Sequence, residues 1–149
     1  MRTNEEIEAY LLQLGANFQA VQEGMWIIHG DYDEFENIVI YNDPPVITFR
    51  CKLMEVPTSD KRAEFCEKLL RLNATEMVAG AYGIEDESVV IVDTLQSANL
   101  DFNELQASID GLGLAISVHY SVLGGYRDKA KLPEADALAD FDARLDGNG

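Results

Sequence analysis

The sequence predicts an α+β fold in which helices pack on one antiparallel β-sheet. Apolar residues recur at helical spacing in three segments, and they alternate with polar residues in several others. All connections between these segments are short, which suits a single antiparallel sheet. The predicted element order is α-β-β-β-β-α-β-β-α, without internal repeats or low-complexity tracts.

Residues 4–14 are predicted to form the first helix. Thr3 or Asn4 can cap its N-terminus, and Gly15 can end it. Its apolar residues recur at i, i+4 and i+7, which indicates one buried stripe. The stripe consists of Ile7, Leu11 and Leu14.

Four strands are predicted next. The segments "ANFQAVQ" and "MWIIHG" flank the turn Glu23-Gly24 and form a hairpin, and "FENIVIY" follows as the third strand. Proline cannot donate to a ladder, so "NDPP" ends that strand. The fourth strand, "VITFRCKL", alternates most clearly. One of its faces is apolar (Ile47, Phe49, Cys51, Leu53) and the other is mixed (Val46, Thr48, Arg50, Lys52).

The second helix is predicted within "VPTSDKRAEFCEKLLRLNAT", with Thr58 or Ser59 as its cap. Its predicted buried stripe consists of Ala63, Cys66, Leu69 and Leu70, with Leu72 alongside.

A strand over residues 76–84 follows. Its small residues Ala79, Ala81 and Gly83 are expected to face a helix that approaches closely. The next strand, "VVIVDTL", is apolar on both faces, so both faces are expected to be covered.

The last long helix is predicted within "NLDFNELQASIDGLGLAISVHYSVL". Asp101 and Glu104 have the spacing of a capping box. Gly111 and Gly113 lie in its middle and imply either close backbone packing or a break in the helix. Its predicted apolar stripe consists of Leu105, Ile109, Leu112, Ile116, Tyr120 and Leu123.

These elements predict one α+β domain over residues 1–124. Residues 125–149 form a polar, acidic C-terminal tail in which Pro133 can start a short helix.

Composition excludes several classes of function. The chain has 149 residues and a net charge of −16, which disfavours nucleic acid and anionic lipid as partners. It contains no apolar run long enough to span a membrane, and its polar N-terminus does not look like a signal peptide. The sequence therefore predicts a cytoplasmic protein. Cys51 and Cys66 occupy apolar positions and are interpreted as buried, reduced thiols.

Residues with catalytic or metal-binding potential are sparse. His29 and His119 belong to no local catalytic signature, and the cysteines and histidines are not spaced as zinc ligands. The acidic segment "GDYDEFEN" lacks the glycine and the third ligand of a calcium loop, so it is interpreted as an exposed turn. We expect no cofactor, no metal and no enzymatic activity.

Three segments carry a resemblance to a known family. The segments "LLRLNA", "GAYGIEDESVVIVDTL" and "HYSVL", together with the element order, resemble the YbjN-like domain family. The similarity covers residues 3–123. The fold of that family is similar to that of type III secretion chaperones, which usually dimerise. The resemblance implies a non-enzymatic protein that binds other polypeptides, and some family members are described as regulators of sensory or stress pathways.

Three functional hypotheses follow. The first is a homodimeric, chaperone-like module that holds a partner polypeptide along its sheet. Its candidate partner-binding residues are Trp26, Ile28, Phe35, Val39 and Tyr41, and the alternative is that these residues are simply core. The second is a regulatory or scaffold protein that acts through its acidic tail. The third is a small-molecule enzyme or sensor with His29 or His119 in a pocket.

Overall fold

A computed structural model describes residues 2–29 and 37–128 of the chain. Within these residues it shows one antiparallel sheet of six strands in the order β1-β2-β3-β4-β6-β5, together with three helices. The strands are β1 (Phe18–Gln22), β2 (Met25–Ile28), β3 (Ile38–Asp43), β4 (Val46–Glu55), β5 (Ala81–Glu85) and β6 (Ser88–Gln96). The helices are α1 (Asn4–Leu14), α2 (Arg62–Thr75) and α3 (Phe102–Gly124). The predicted fold class and element order are confirmed.

All three helices contribute to a single hydrophobic core on one face of the sheet, which we call the covered face. The alternation predicted for β4 is confirmed. Ile47, Phe49 and Cys51 are at most 1% exposed. Arg50 and Lys52 point to the opposite face, which we call the open face.

Capping residues define both ends of α1 and the start of α3 as predicted. Thr3 and Glu6 form a capping box on α1, and Gly15 ends the helix with a φ of 77°. Asp101 and Glu104 form the corresponding box on α3. The last helix runs without a break through its two glycines, so the alternative of a broken helix is wrong.

The predicted buried stripe of α2 is confirmed at Leu69 and Leu72 and wrong at Ala63, Cys66 and Leu70. The helix begins at Arg62, and its buried residues are Phe65, Leu69 and Leu72. Leu70 is 68% exposed, and Cys66 is only partly buried. Phe65, Leu69 and Leu72 follow the i, i+4, i+7 spacing of one helical face, so Phe65 takes the core position that was assigned to Cys66.

The strand predicted over residues 76–84 begins later, at Ala81. Ala81 and Gly83 pair with Val92 and Val90 and lie on the open face, so they do not face a helix as predicted. The close approach to a helix instead occurs just before the strand. A Cβ on Gly111 would lie 2.6 Å from the Cβ of Ala79.

Burial of β6 on both of its faces is found over part of its length. Val89 and Ile91 are fully buried on the covered face, and Val90 is 6% exposed on the open face. Val92 and Leu95 are partly exposed, so the predicted double burial is limited to the first half of the strand.

The chain continues in contact with α2 after α3 ends. The ring of Tyr126 packs edge-on against that of Phe65, with centroids 5.3 Å apart. The backbone N–H of Thr58 donates to the carboxylate of Asp128 at 2.9 Å. Residues 129–149, with the predicted helix at Pro133, lie outside the described residues, as does the acidic turn at 30–36.

No helix in the described part of the chain is long and apolar enough to cross a membrane.

Candidate functional site

The two edges of the sheet differ in how they are covered. At the β5 edge, the side-chain amide of Asn73 on α2 pairs with the backbone of Tyr82. The N–H of Tyr82 donates to Oδ1 of Asn73 at 2.7 Å, and Nδ2 of Asn73 donates to the carbonyl of Tyr82 at 3.1 Å. One asparagine therefore occupies the outward N–H and carbonyl of Tyr82, which another strand would use.

The β1 edge has no such cover among residues 2–29 and 37–128. β1 is the terminal strand of the sheet, and its residues from Gln19 to Gln22 are exposed. The N–H of His29 donates to the carbonyl of Asn17 at 2.8 Å. Ladder bonds alternate in an antiparallel pair, so the N–H and carbonyl of Ala20 point away from β2. A bulge at Val21 limits regular pairing to the first half of the strand.

A groove of about 370 Å³ lies beside this edge, between α1 and the β1–β2 hairpin. Its described lining contains three glutamates, Glu5, Glu8 and Glu23, and neither lysine nor arginine. Trp26 also lines the groove, and its Nε1 donates to the carboxylate of Glu8 at 2.9 Å. The groove is therefore acidic, and the side chain of Trp26 forms part of its lining.

Asn42 fixes the position of α1 against the sheet. Its Nδ2 donates to Oδ1 of Asn4 at 2.9 Å, and it lies on β3, which pairs with the hairpin strand β2. A side chain at Gly24 would come within 3.6 Å of Asn4. Asn4, Gly24 and Asn42 therefore hold α1 against the hairpin at this end of the groove.

The five candidate residues from the sequence are distributed over two faces of the sheet. Trp26 and Ile28 are 2% and 9% exposed and belong to the core on the covered face. Val39 and Tyr41 lie on the open face, where Tyr41 is 38% exposed. Phe35 lies outside the described residues. A role of these residues in partner binding stays a prediction.

The open face carries an apolar row across five strands. Neighbouring positions in this row pair directly across the ladder, and the row is Ile27, Val39, Arg50, Val92 and Ala81. Its one charged member, Arg50, forms an ion pair with Glu85. The face therefore presents half-buried aliphatic side chains with a neutralised charge.

The two histidines occupy different environments. His29 is partly exposed, and its Nε2 lies 3.3 Å from the amide oxygen of Gln19. The sequence predicted that Tyr120 belongs to the buried stripe of α3, and this was wrong. Tyr120 is 51% exposed, and its neighbour His119 is buried instead, at 5% exposure. His119 packs against Tyr82 on the covered face, where its ring nitrogen satisfies the tyrosine hydroxyl.

Within the described ranges, no group of three or more His, Cys, Asp and Glu side chains is placed to hold a metal ion.

The groove could not be found from the sequence. Glu5 and Glu8 stand in the first helix and Glu23 in a turn, and their proximity arises only when α1 packs beside the hairpin. Glutamates near the start of a helix indicate a favourable interaction with the helix dipole. They do not indicate which strand will lie beside the helix.

Comparison with solved structures places the fold among chains of type III secretion complexes and YbjN. A chain of the ExoU–SpcU heterodimer from the type III secretion system of Pseudomonas aeruginosa is 17% identical. It has a TM-score of 0.59 over 74% of this chain and 92% of that chain. YbjN from E. coli is 13% identical, with a TM-score of 0.62 over 80% and 92% of the two chains.

A third similar structure is that of the Yersinia pestis type III secretion chaperone SycH in complex with a fragment of YscM2. It has 9% identity and a TM-score of 0.54, covering 77% of this chain and 97% of that chain. At such low identities the likeness shows the fold alone. No curated protein sequence matches this chain.

The CesT_Tir_1 family matches residues 1–129, which include every described helix and strand. The chain belongs to the CesT_Tir_1 family, a family of type III chaperones.

Proposed function

We propose that this chain is a non-enzymatic, chaperone-like module that holds an extended segment of a partner polypeptide and works as a homodimer. The observation that carries the proposal is the difference between the two sheet edges. Asn73 occupies the outward backbone groups of Tyr82 in the middle of β5, whereas no described residue does the same for Ala20 in β1. An uncovered edge strand is a template for another chain, and strand addition is a recurring mode of peptide recognition.

The family supports a protein-binding role. Solved chains with this fold include the chaperone SycH, which was determined in complex with a fragment of YscM2. That complex is a property of SycH, and the corresponding role of this chain is our proposal.

The groove beside β1 indicates the chemistry of the segment. Strand addition supplies backbone hydrogen bonds without sequence preference, and adjacent pockets supply specificity. Glu5, Glu8 and Glu23 line the groove of a chain whose net charge is −16. Opposite charge across an interface accelerates association and suppresses wrong partners. We therefore expect the bound segment to carry lysine or arginine next to its pairing residues.

The open face of the sheet could extend the partner-binding surface beyond the β1 edge and its groove. Strand order places the open face of β2 and β3 next to β1, so a segment that passes over the edge would reach Val39 and Tyr41. These residues are the part of the candidate set that a partner can contact without disturbing the core.

The test uses Ala20→Pro, which removes the outward N–H without removing a ladder donor, together with Ala20→Ser as the matched control. Proline at an edge strand is tolerated where its nitrogen faces outward. Each variant is used to capture partners from the cells that produce the protein, and captured proteins are compared by mass spectrometry. We expect Ala20→Ser to retain the wild-type partner and Ala20→Pro to lose it at an unchanged melting temperature.

Retention of the partner by Ala20→Pro would contradict strand addition at this edge. Two further variants test whether the open face or the acidic tail also binds the partner. Tyr41→Ala is expected to weaken capture if the segment continues onto the open face. Deletion of residues 129–149 is expected to leave capture intact, and its loss would favour a partner site in the acidic tail instead.

A further inference from the structure

Two residues of β1 direct backbone groups away from the sheet, and their side chains point to the same side. The alternation of ladder bonds that turns the N–H and carbonyl of Ala20 outward also turns those of Phe18 outward. Ala20 pairs with Trp26 and Phe18 pairs with Ile28, and both partners lie on the covered face. The side chains of Phe18 and Ala20 therefore point to the side on which α1 packs. A strand added antiparallel to β1 would send the side chains opposite these two residues to that side as well.

Helix α1 runs beside the β1–β2 hairpin with a matching step. Asn4 lies beside Gly24, where an added Cβ would be 3.6 Å from it, and Glu8 accepts the indole hydrogen bond of Trp26 at 2.9 Å. Four helical residues rise by about 6.0 Å and two strand residues by about 6.8 Å, so helix and strand stay nearly in step. The next step sets Leu12 level with the last residue of β2.

The two levels offer different chemistry at the edge of the sheet. Through their pairing with β2, Ala20 is level with Glu8 and Phe18 is level with Leu12. Glu8 and Leu12 are four residues apart on α1, so both point to the side of the helix that lines the groove. Glu8 offers a carboxylate, whereas Leu12 is a leucine that is 66% exposed. A side chain opposite Ala20 would therefore meet a negative charge, and one opposite Phe18 would meet an apolar surface.

We propose that the segment held at the β1 edge has the pattern basic–any–apolar, with lysine or arginine opposite Ala20 and an apolar residue opposite Phe18. The segment runs antiparallel to β1, as neighbouring strands do throughout the sheet, and antiparallel pairing is the more stable kind per residue. In that direction the residue opposite Ala20 comes first in the segment. The inference names the class of segment for the proposed binding site, so it rests on the proposed function.

Net charge alone does not produce this pattern. A chain with a net charge of −16 attracts a basic segment wherever the lysine stands in it. Successive side chains of a strand point to opposite faces, so residues two positions apart can reach Glu8 and Leu12 together. A lysine directly beside the apolar residue would leave one of the two side chains on the other face. Spacing and order therefore separate recognition by this surface from general attraction.

The test uses three peptides of the same composition. The first, Thr-Thr-Lys-Thr-Leu-Thr-Thr, has the proposed pattern; the second, Thr-Thr-Leu-Thr-Lys-Thr-Thr, reverses it; the third, Thr-Thr-Lys-Leu-Thr-Thr-Thr, places the two residues side by side. Trp26 is the single tryptophan of the chain and is bonded to Glu8, so its fluorescence reports binding at this site. We expect the first peptide to have a dissociation constant at least about tenfold lower than the others, since each of those loses a side-chain contact.

Two variants test the two contacts one at a time. Glu8→Gln keeps an oxygen for the indole of Trp26 but removes the charge, and Leu12→Ser removes the apolar surface. Each is expected to raise the dissociation constant of the first peptide at least about threefold. Glu8→Gln should have no effect on a peptide with glutamine in place of lysine, and Leu12→Ser none on a peptide with serine in place of leucine. The matched controls are Asp110→Asn, at an exposed acid on α3, and Leu70→Ser, at a 68% exposed leucine on α2. Both controls are expected to bind the first peptide like wild type.

Equal affinities for the three peptides overturn the inference, as do tighter binding of the second or third peptide and no binding of the first. An equal loss of affinity in Asp110→Asn and Glu8→Gln also overturns it, because net charge would then explain the binding. Capture of the natural partner by Ala20→Pro and Ala20→Ser is measured separately. Loss of that partner in Ala20→Pro together with equal peptide affinities would leave strand addition standing and remove the pattern alone.

Discussion

The hydroxyl oxygen of Tyr82 lies 2.7 Å from Nδ1 of His119, and both side chains are buried between β5 and α3. Burial raises the pKa of Tyr82 to about 12, so its hydroxyl keeps its proton. Burial also lowers the pKa of His119, and nearby Lys68 lowers it further, while Glu76 acts in the opposite direction. Nε2 of His119 has no hydrogen-bond partner in the described structure. Tyr82 and His119 therefore form a buried pair in which the imidazole of His119 is neutral.

This pair predicts that the protein loses stability in mild acid. The folded-state pKa of His119 lies below its usual value of 6.5, so the unfolded chain binds the proton more readily. The contribution of the neutral ring is complete above pH 6.5 and is lost as the pH falls from that value through the folded-state pKa. Urea unfolding measured at a series of pH values gives the free energy of unfolding directly.

His119→Phe provides the control, since phenylalanine fills the site and cannot titrate. Its free energy of unfolding should depend less on pH below neutrality than that of wild type. All other side chains are the same in both proteins, so the difference between the two pH profiles isolates position 119. Identical pH profiles for wild type and His119→Phe would show that His119 does not carry the effect.

The amide of Asn73 is predicted to stabilise the fold and to protect the sheet edge. In Asn73→Ala the N–H and carbonyl of Tyr82 lose their partner, at a cost of about 1–3 kcal/mol for unsatisfied polar groups. The uncovered edge should also increase aggregation, measured by light scattering during refolding. Arg71→Ala, which removes an exposed ion pair with Glu67, should change stability by less than about 1 kcal/mol. Equal effects of the two changes would contradict a special role of Asn73.

Local chemistry explains which elements the sequence could predict. The capping boxes at Thr3 and Asp101 and the alternation of β4 depend on residues within a few positions of each other, and all three were predicted. The buried face of α2 was predicted only at Leu69 and Leu72, because Cys66 and Phe65 both fit an apolar helical spacing with those two leucines. Only contact with the sheet selects between them.

The candidate site depends almost wholly on long-range contacts. Asn73 belongs to a segment that identified the family resemblance, but its pairing with Tyr82 is visible only when α2 lies beside β5. The same holds for Trp26 and Glu8, which are eighteen positions apart and form a hydrogen bond in the groove. A sequence pattern can suggest that an edge strand exists, whereas the structure is needed to find which edge is covered.

Trp26 and Tyr41 are predicted to differ sharply when each is replaced by alanine. Trp26 is 2% exposed, and truncation of a buried tryptophan costs about 3–5 kcal/mol. Tyr41 is 38% exposed and pairs across the sheet with Thr48, so its loss should cost about 1 kcal/mol or less. Denaturant unfolding of both variants measures the difference. A stable Trp26→Ala variant would place this side chain outside the folding core.

The two glycines in the middle of α3 are predicted to respond oppositely to alanine. In an exposed helix interior, Gly→Ala stabilises by about 0.5–1 kcal/mol, because alanine loses less backbone entropy. Gly113→Ala should show this gain, since its Cβ would meet nothing within 4 Å. Gly111→Ala should destabilise, since its Cβ would lie 2.6 Å from that of Ala79 and α3 would have to move away from the loop before β5. Thermal or urea unfolding of the two variants gives the sign of each change. A gain at both positions would mean that the contact between Gly111 and Ala79 relaxes without cost, and that close packing is not the reason for a glycine at position 111.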